Sequence, residues 1–286
     1  MILEEIMGEV GRITKRWTNE EDLFVKNNYG NMTCSEIGEK LMRTKMSVRK
    51  RLEFIGLSKS PNKYSYKKDY FKTIDSEHKA YWLGFLSADG CIVDTNKGSK
   101  RVQLILKEDD RDHLEKLVKC IDGNMPITLR KQTVNGNVYG SCRLVIHSTE
   151  MANDLIKHGV TPRKTFTIKF PDISEKLIPH YIRGLIDGDG SLYINNKKTK
   201  TGYSKMSIEL LSASEEHING VKDYFDSIGV ISNVYDIKNH YHLMACSMKS
   251  INIIIDTLYK NSTIYLERKY EKSKVMKNLM PSSLAI

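Results

Sequence analysis

Two short acidic motifs recur one hundred residues apart in the chain. The stretches YWLGFLSADG and YIRGLIDGDG each run from an apolar helical pattern into an aspartate, Asp89 or Asp189, that is followed by glycine. The C-terminus of a helix carries about half a negative elementary charge, so a carboxylate there is normally unfavourable. Two matching aspartates at such positions therefore indicate a role in chemistry rather than in helix stability.

Small residues inside the two motifs predict how those aspartates are brought together. Gly84 and Ala88 lie four apart in the first motif, and Gly184 and Gly188 lie four apart in the second. Residues at this spacing share one helix face, and small side chains there let two helix backbones approach closely. We therefore predict that the two motif helices pack against each other with the two aspartates side by side.

A pair of neighbouring carboxylates at two negative helix ends favours a bound cation. Without one, repulsion would keep one of the two acids protonated. Carboxylate, carbonyl and water oxygens suit Mg²⁺, or the similar Mn²⁺, and Mg²⁺ usually completes its shell with water and substrate phosphate oxygens. The expected chemistry is phosphodiester cleavage, in which a metal stabilises the attacking and leaving oxygens.

Other interpretations of the acidic motifs fit the sequence less well. A DGDG run on its own is often only a turn, but two copies in matching contexts argue against that. An EF-hand loop is excluded because its sixth position would be Leu192 rather than glycine. A glycosidase pair of carboxylates would leave the basic N-terminal region of the chain unexplained.

The composition indicates the class of protein. The 45 Lys and Arg residues outnumber the 35 Asp and Glu residues, and the formal net charge of +10 favours a polyanionic partner such as nucleic acid. The five cysteines are scattered singly, without the paired spacing of zinc ligands or a redox dithiol. The sequence has neither a signal-peptide pattern nor a membrane-spanning run, so we expect a soluble, intracellular, cytoplasmic protein without a membrane partner.

Residues 1–57 predict a small helical domain. Three helices are expected to begin after Thr18, Thr33 and Thr44, the first two with a glutamate at capping-box spacing. The core would use apolar residues of all three helices, namely Leu23, Phe24, Ile37, Leu41, Val48, Leu52 and Ile55. The region of the third helix is basic and suits a DNA groove, with the expected contacts Arg43, Lys45, Arg49 and Lys50. Residues 58–69 then have the composition of a basic linker.

The remainder of the chain contains an internal repeat of helices and strands. In residues 70–168, and again in residues 169–286, a motif helix is followed by a strand pair, a helix, a second strand pair and a helix. This order predicts two halves related by approximate two-fold symmetry. The expected strands are CIVD, RVQLILK, CRLVIHS, SLYIN, KMSIELL and YHLMACS.

The motifs WLGFLSADG and IRGLIDGDG resemble the two signature helices of the LAGLIDADG homing endonucleases in their single-chain, two-motif form. The segment from Arg16 to Leu57 is similar to the Myb-like or homeodomain-like helix-turn-helix family. These resemblances imply an α+β fold, with two pseudo-symmetric halves whose saddle-shaped antiparallel sheets grip the DNA major groove. A three-helix helix-turn-helix domain would precede them.

The endonuclease resemblance also implies roles for individual residues. The metal ligands would be the carboxylates of Asp89 and Asp189, with the backbone carbonyls of Ala88 and Gly188 in support. Only this last acid is common to both motifs, because Ser87 replaces the first acid in the first copy.

Basic and polar residues near the metal and on the sheets complete the predicted site. His147 and Lys249 follow the fourth strand of each half and are the expected catalytic residues that act on water. The basic residues of TPRKTFTIKFP, which bridges the halves, are expected to be structural or to contact phosphate. The expected DNA contacts of the two sheets are Arg101, Lys107, Arg130, Arg143, Lys198 and Lys205.

We therefore predict a Mg²⁺-dependent DNA endonuclease that makes double-strand breaks in a long asymmetric target. It would act as a monomer and be the product of a mobile intron or intervening sequence. The alternative on the same scaffold is a binding function, either an RNA maturase that assists the splicing of intron RNA or a DNA-binding regulator without cleavage. The presence of both acids favours the enzyme.

Overall fold

The computed structural model describes residues 16–29, 31–57, 64–95, 98–134, 136–198 and 204–281, with the side chains of Gln132, Val134 and residues 196–198 outside the description. The chain divides between Lys63 and Tyr64 into two compact units. No helix within these ranges is long and apolar enough to cross a membrane.

Three short helices form the N-terminal unit, and each is preceded by a capping threonine. They are α1 (Asn19–Asn28), α2 (Cys34–Leu41) and α3 (Lys45–Phe54). At the starts of α1 and α2, the threonine and the glutamate three residues later exchange hydrogen bonds between side chain and backbone. Both predicted capping boxes are present, and they satisfy N–H groups that a helix start leaves unpaired.

The core of this unit is formed by four buried residues, Val25, Ile37, Val48 and Leu52. Leu23, which we predicted in this core, is instead exposed. It lies two residues from Val25, and two residues turn an α-helix by about 200°, so only one of the two can face inward. The prediction for Leu23 was therefore wrong, while those for Ile37, Val48 and Leu52 are confirmed.

The C-terminal unit repeats one arrangement of helices and strands twice. Its first half comprises α4 (Glu77–Ala88), β1 (Cys91–Asp94), β2 (Lys100–Lys107), α5 (Arg111–Cys120), β3 (Thr128–Val134), β4 (Asn137–Ile146) and α6 (Thr149–Lys157). Its second half comprises α7 (Ile178–Gly188), β5 (Ser191–Lys198), β6 (Ser204–Ser212), α8 (Glu215–Ser227), β7 (Asn233–Ile237), β8 (His240–Ala245), α9 (Met248–Tyr259) and α10 (Glu267–Asn278). Short 3-10 helices lie at Glu108–Asp110, Lys164–Phe166 and Glu175–Leu177. The α+β fold with two pseudo-symmetric halves confirms the predicted fold class.

Each half contains a four-stranded antiparallel sheet, in the order β1-β2-β4-β3 or β5-β6-β8-β7. Alternate residues of the strands are buried against the helices of the same half, as Val102 and Leu104 of β2 and Ile208 and Leu210 of β6 are. The intervening residues lie on the opposite face of each sheet, which we call the uncovered face. Strands β3 and β7, at the edges, are not among the six strands expected from the sequence.

Helices α4 and α7 pack directly against each other, as their small residues predict. A Cβ atom on Gly84 would lie 1.9 Å from the carbonyl oxygen of Tyr181, and one on Gly184 would lie 2.1 Å from that of Tyr81. These distances are far below van der Waals contact, so only glycine permits this approach of the two backbones. The two contacts are reciprocal, as the pseudo-two-fold symmetry requires.

An ion pair between a buried arginine and a partly buried glutamate also joins the two motif helices. The Nη2 atom of Arg183 in α7 lies 2.6 Å from Oε1 of Glu77 at the start of α4. The same guanidinium donates to the carbonyl oxygens of Ile264 and Leu258, at 2.9 and 2.7 Å, and thus ties the chain after α9 to the helix pair. The motif helices are therefore joined at the start of α4 as well as at the glycine contacts, which limits how far their C-terminal aspartates can move apart.

Candidate active site

Asp89 and Asp189 occupy equivalent positions at the ends of α4 and α7. In both motifs the backbone N–H of the aspartate donates to the carbonyl four residues earlier, at 2.9 Å. The carboxylate of Asp89 lies against the opposite helix, because a Cβ atom on Gly188 would be 3.4 Å from its Oδ2 atom. The structure therefore brings the two acids together where the packed helices end.

The environment of this pair disfavours two bare negative charges. Asp89 and Asp189 are both exposed to solvent, but the atoms packed around the helix ends partly desolvate them. This desolvation is the main cause that raises the pKa of Asp89, to about 6, and the charge of Asp189 contributes in the same direction. Desolvation likewise raises the pKa of Asp189. The ammonium groups of Lys164 and Lys269 act in the opposite direction on both carboxylates. A further cation between the acids would relieve the remaining penalty.

A lysine ammonium contacts the carbonyl groups at the end of each motif helix. Cations at such positions compensate the negative helix ends. Burial lowers the pKa of both ammonium groups, that of Lys269 to about 8. The acceptors of the Nζ atoms are Ala88 O at 3.1 Å and Gly90 O at 2.6 Å for Lys164, and Ile186 O at 3.3 Å and Gly190 O for Lys269.

The two lysines hold matching places in the repeat. Lys164 starts the short 3-10 helix that follows α6, directly after Arg163, whose backbone is left-handed with φ 56°. Lys269 lies in the first turn of α10, which follows α9. Each lysine thus comes shortly after the last helix of the sheet-containing part of its half. From the sequence, Lys164 was expected only to be structural or to contact phosphate, and Lys269 was not identified. Their shared position after the last helix of each half is a signal that could have identified both as site residues.

His147 and Lys249 were predicted to fill this role, and the structure places them elsewhere. His147 is exposed at the end of β4, where its backbone carbonyl accepts a hydrogen bond from Tyr66 Oη at 2.6 Å. Lys249 is exposed in the first turn of α9. Strand β4 runs parallel to β1, so it leaves the sheet at the end away from the motif, and β8 does the same in the second half. The side chains that contact the ends of the motif helices are instead those of Lys164 and Lys269, and the catalytic roles of His147 and Lys249 stay predictions.

Asp187, the first acid of the second motif, is a structural residue. It is fully buried and accepts hydrogen bonds from Tyr81 Oη at 2.8 Å, Tyr259 Oη at 2.7 Å and the backbone N–H of Leu266 at 2.7 Å. Its counterpart Ser87 is also buried and donates to the carbonyl of its own helix. The asymmetry between the motifs therefore lies in packing and leaves the two terminal acids equivalent.

The predicted DNA contacts of the first sheet share its uncovered face. Within a strand, these residues alternate with buried ones, or they pair across strands with residues that alternate in this way. They are Arg101, Lys107, Arg130 and Arg143. Partial burial lowers the pKa of Arg143, and the like charges of Arg130 and Arg101 lower it further. The buried Nε atoms of Arg101 and Arg143 have no hydrogen-bond partner among the described residues. Such crowded cations suit a polyanionic ligand.

The remaining predicted DNA contacts divide into three groups. Lys205 is exposed on the uncovered face of β6, whereas the side chain of Lys198 lies outside the described residues. Lys45, Arg49 and Lys50 are exposed on α3. Arg43 is instead held within the N-terminal unit, where its side chain is 5% exposed, pairs with Glu21 at 2.7 Å and stacks on Trp17 at 4.0 Å. Its predicted DNA contact is therefore corrected to a structural role.

The donor set at the acids fits a hard divalent cation with few protein ligands. Among the described residues, no group of three or more His, Cys, Asp or Glu side chains could hold a metal. The available donors are the two carboxylates and the carbonyls of Ala88 and Gly188, and a carbonyl that accepts from a lysine keeps a second lone pair. A cavity of about 370 Å³ beside Asp189 and Lys164 leaves room for water and phosphate oxygens. This combination suits Mg²⁺.

Comparison with known proteins identifies the kind of fold. Residues 177–258 match the model of a LAGLIDADG-like domain. The structure is similar to that of the homing endonuclease I-WcaI bound to its DNA recognition sequence, with a TM-score of 0.52 and 16% identity over 76% of this chain and 96% of that one. It is also similar to the LAGLIDADG meganuclease I-AabMI bound to uncleaved DNA, with a TM-score of 0.48 and 15% identity over 74% of this chain and 96% of that one.

Two curated relatives match shorter segments. Uncharacterized protein Lin2600 of Listeria innocua is 43% identical over 80 residues, which are 28% of this chain and 34% of that protein. A probable translation initiation factor IF-2 of Methanocaldococcus jannaschii is 28% identical over 120 residues, which are 40% of this chain and 10% of that protein. The chain thus spans about a third or less of the length of these relatives.

Proposed function

We propose that this chain, a LAGLIDADG protein with the fold of the homing endonucleases and one motif in each half, cuts both strands of a specific DNA site in a Mg²⁺-dependent reaction. The observation that carries the proposal is the meeting of Asp89 and Asp189 at the ends of two packed helices, with one lysine anchored on the backbone carbonyls at each. This is an acidic centre on a chain with a net charge of +10, the distribution expected where a metal and a polyanion meet.

Each residue of the site would have a defined task. Asp89 and Asp189 would hold the metal, with the carbonyls of Ala88 and Gly188 as further ligands. When bound, the metal would supply Lewis-acid stabilisation of the attacking and leaving oxygens of a phosphodiester. The packed motif helices keep the two carboxylates at a fixed separation, so no reorganisation is needed when the substrate arrives.

The two lysines would stabilise negative charge and exchange protons beside the acids. Their ammonium groups are anchored on backbone carbonyls, and each can offer a remaining proton to a phosphate oxygen as negative charge develops there. A group with a pKa of about 8, as for Lys269, can also exchange a proton with water near neutral pH. Lys164 and Lys269 belong to different motifs, so each would serve mainly one of the two scissile phosphates.

DNA would be held by the uncovered faces of the two sheets. The first of these faces carries Arg101, Lys107, Arg130 and Arg143, and antiparallel strands of this kind can enter a major groove. The exposed cations of α3 would contact DNA separately. Because one chain contains both motif helices and both sheets, we propose that a monomer binds a target whose two halves differ.

The proposal is tested by selection from a library of randomised DNA duplexes. Wild-type protein in Mg²⁺ should cut a defined set of long, non-palindromic sites. It should cut none in EDTA. The Asp89→Asn/Asp189→Asn double variant, with the same shape and without the charges, should cut none under either condition. Tight binding to DNA or to intron RNA without cleavage of any duplex by the wild type would contradict the enzyme and support the binding alternative.

A further inference from the structure

We propose that Glu209 reads a cytosine in the half of the target that the second sheet contacts, and that Gln103, at the matching place of the first sheet, reads a different base. The inference rests on the proposed function, because it concerns how the same DNA target is recognised. It assigns sequence selectivity to one acidic side chain on a surface that otherwise attracts phosphate.

The strand registers establish that these two residues are counterparts. Gln103 pairs with Cys91, two residues after the first aspartate, and Glu209 pairs with Ser191, two residues after the second. On the adjacent strands, Ile105 pairs with Arg143 in the first sheet, as Leu211 pairs with His242 in the second. Glu209 and Gln103 therefore occupy the same place relative to the active site, on opposite sides of it.

Gln103 and Glu209 each contact one side chain of the adjacent strand, but the charged member of the pair differs. It is the arginine in the first sheet and the glutamate in the second. Arg143 Nη2 donates to Gln103 Oε1 at 2.5 Å, so a permanent cation is paired with a neutral amide. His242 Nε2 lies 3.2 Å from Glu209 Oε2, and because a carboxylate only accepts, this nitrogen must carry the hydrogen. Ser207 Oγ donates to the other oxygen, Glu209 Oε1, at 2.5 Å. Both oxygens of Glu209 are thus oriented by neighbours on the same face.

A structural role explains this arrangement poorly. The side chains of Glu209 and His242 are 26% and 16% exposed, and a polar pair that water can reach contributes little to stability. A carboxylate on a DNA-binding surface also repels phosphate and weakens binding. A residue that lowers general affinity is useful there only if it discriminates between bases.

The chemistry of the carboxylate identifies the base. An ionised glutamate has acceptors only, so in the major groove it pairs best with the N4 amino group of cytosine. The O6 and N7 atoms of guanine and the O4 atom of thymine repel it, and adenine presents its N6 amino group beside the repelling N7 acceptor. Gln103 has both a donor and acceptors, and an amide of this kind pairs with the N6 and N7 atoms of adenine. Since Glu and Gln have nearly the same size, exchanging them changes this readout with little change in shape.

The test is a reciprocal exchange analysed by selection from randomised duplexes. Wild type should show a cytosine preference at one base pair on one side of the cleavage centre. Glu209→Gln should abolish that preference in favour of adenine, a change in discrimination of roughly 5- to 150-fold. Gln103→Glu, the matched variant, should create a cytosine preference at the equivalent distance on the other side.

The outcomes separate this inference from the proposed function. If wild type selects and cuts a defined site but both exchanges leave every base preference unchanged, Glu209 does not read DNA and the inference is overturned. If wild type selects no site at all, the proposed function fails first and the inference with it. If Glu209→Gln does not fold, Gln103→Glu alone still decides, because it predicts a gained preference rather than the disappearance of one.

Discussion

Partial desolvation and the nearby charge of Asp189 should make the ionised form of Asp89 costly in the metal-free protein, although the residue is exposed to solvent. Its pKa rises from 3.8 to about 6 on folding, so the neutral carboxyl stabilises the fold below about pH 4 and this contribution is lost as the pH rises through 6. Asp89→Asn cannot ionise and should therefore be more stable than wild type at pH 7 in EDTA, by up to about 1 kcal/mol, because solvent at this exposed residue screens much of the penalty. Urea denaturation at pH 7 and at pH 4 measures the difference, which should vanish at the lower pH.

Asp187→Asn provides the contrast at a buried acid that is fully hydrogen-bonded. Three donors point at its carboxylate, and an amide nitrogen cannot accept from any of them. Burial raises the pKa of Asp187 as well, but the variant should still lose about 1–3 kcal/mol at pH 7, because a buried donor would be left without its acceptor. Equal effects of the two substitutions would contradict the distinction between a metal-binding acid and a structural one.

The roles of Lys164 and Lys269 can be separated from those of the residues first predicted from the sequence. Lys164→Met and Lys269→Met keep the length of the side chain without its charge, and each should slow cleavage by about 10²–10³-fold. Because each lysine belongs to one motif, nicked duplex should accumulate before the second strand is cut. His147→Ala and Lys249→Ala should cleave at rates close to wild type in the same single-turnover assay. A larger loss in these two than in the lysine variants would restore the original assignment.

At the scale of elements, the close approach of α4 and α7 depends on two glycines. Gly84→Ala would place a methyl group on the carbonyl oxygen of Tyr181, and Gly184→Ala would do the same at Tyr81. Alanine favours a helix over glycine by about 1 kcal/mol, so a loss of stability would come from the steric clash alone. We expect each variant to lose about 3 kcal/mol or more and to cleave poorly even when folded. Thermal unfolding that matches wild type would contradict this packing.

The sequence allowed the motif helices and their partners to be predicted because the signals are local. Each signal can be recognised within a few consecutive residues. The signals are the glycine spacing, the capping threonines and the apolar alternation of β2, β4 and β6. Strands β3, with the sequence TLRKQTV, and β7 are sheet edges, and none of their described side chains is buried. Neither sequence therefore shows a clear apolar alternation. Helix α10 is almost entirely charged and polar, and its place is fixed by tertiary contacts of Lys269, Ser273 and Met276. Lys269 was not predicted because its helix has no apolar pattern that would distinguish one lysine from the others.

At the scale of the whole molecule, the division of the chain predicts two separable functions. Removing residues 1–63 takes away the N-terminal unit and leaves both motifs intact. The shortened protein should still cut the target in Mg²⁺, with a smaller footprint on one side. For every phosphate that the shortened protein no longer binds, the slope of log affinity against log salt should fall by about one unit. An unchanged footprint and slope would assign the N-terminal helices to a protein partner.

The central claim is that Asp89 and Asp189 together form the centre that cuts DNA. The most direct test compares wild type, Asp89→Asn and Asp189→Asn on one selected duplex, with binding measured in EDTA and cleavage in Mg²⁺. Each single variant should bind the duplex with nearly unchanged affinity and make no double-strand break, because the amide keeps the shape of the acid and loses the charge that holds the metal. Double-strand cleavage at the wild-type rate by both variants would contradict the account.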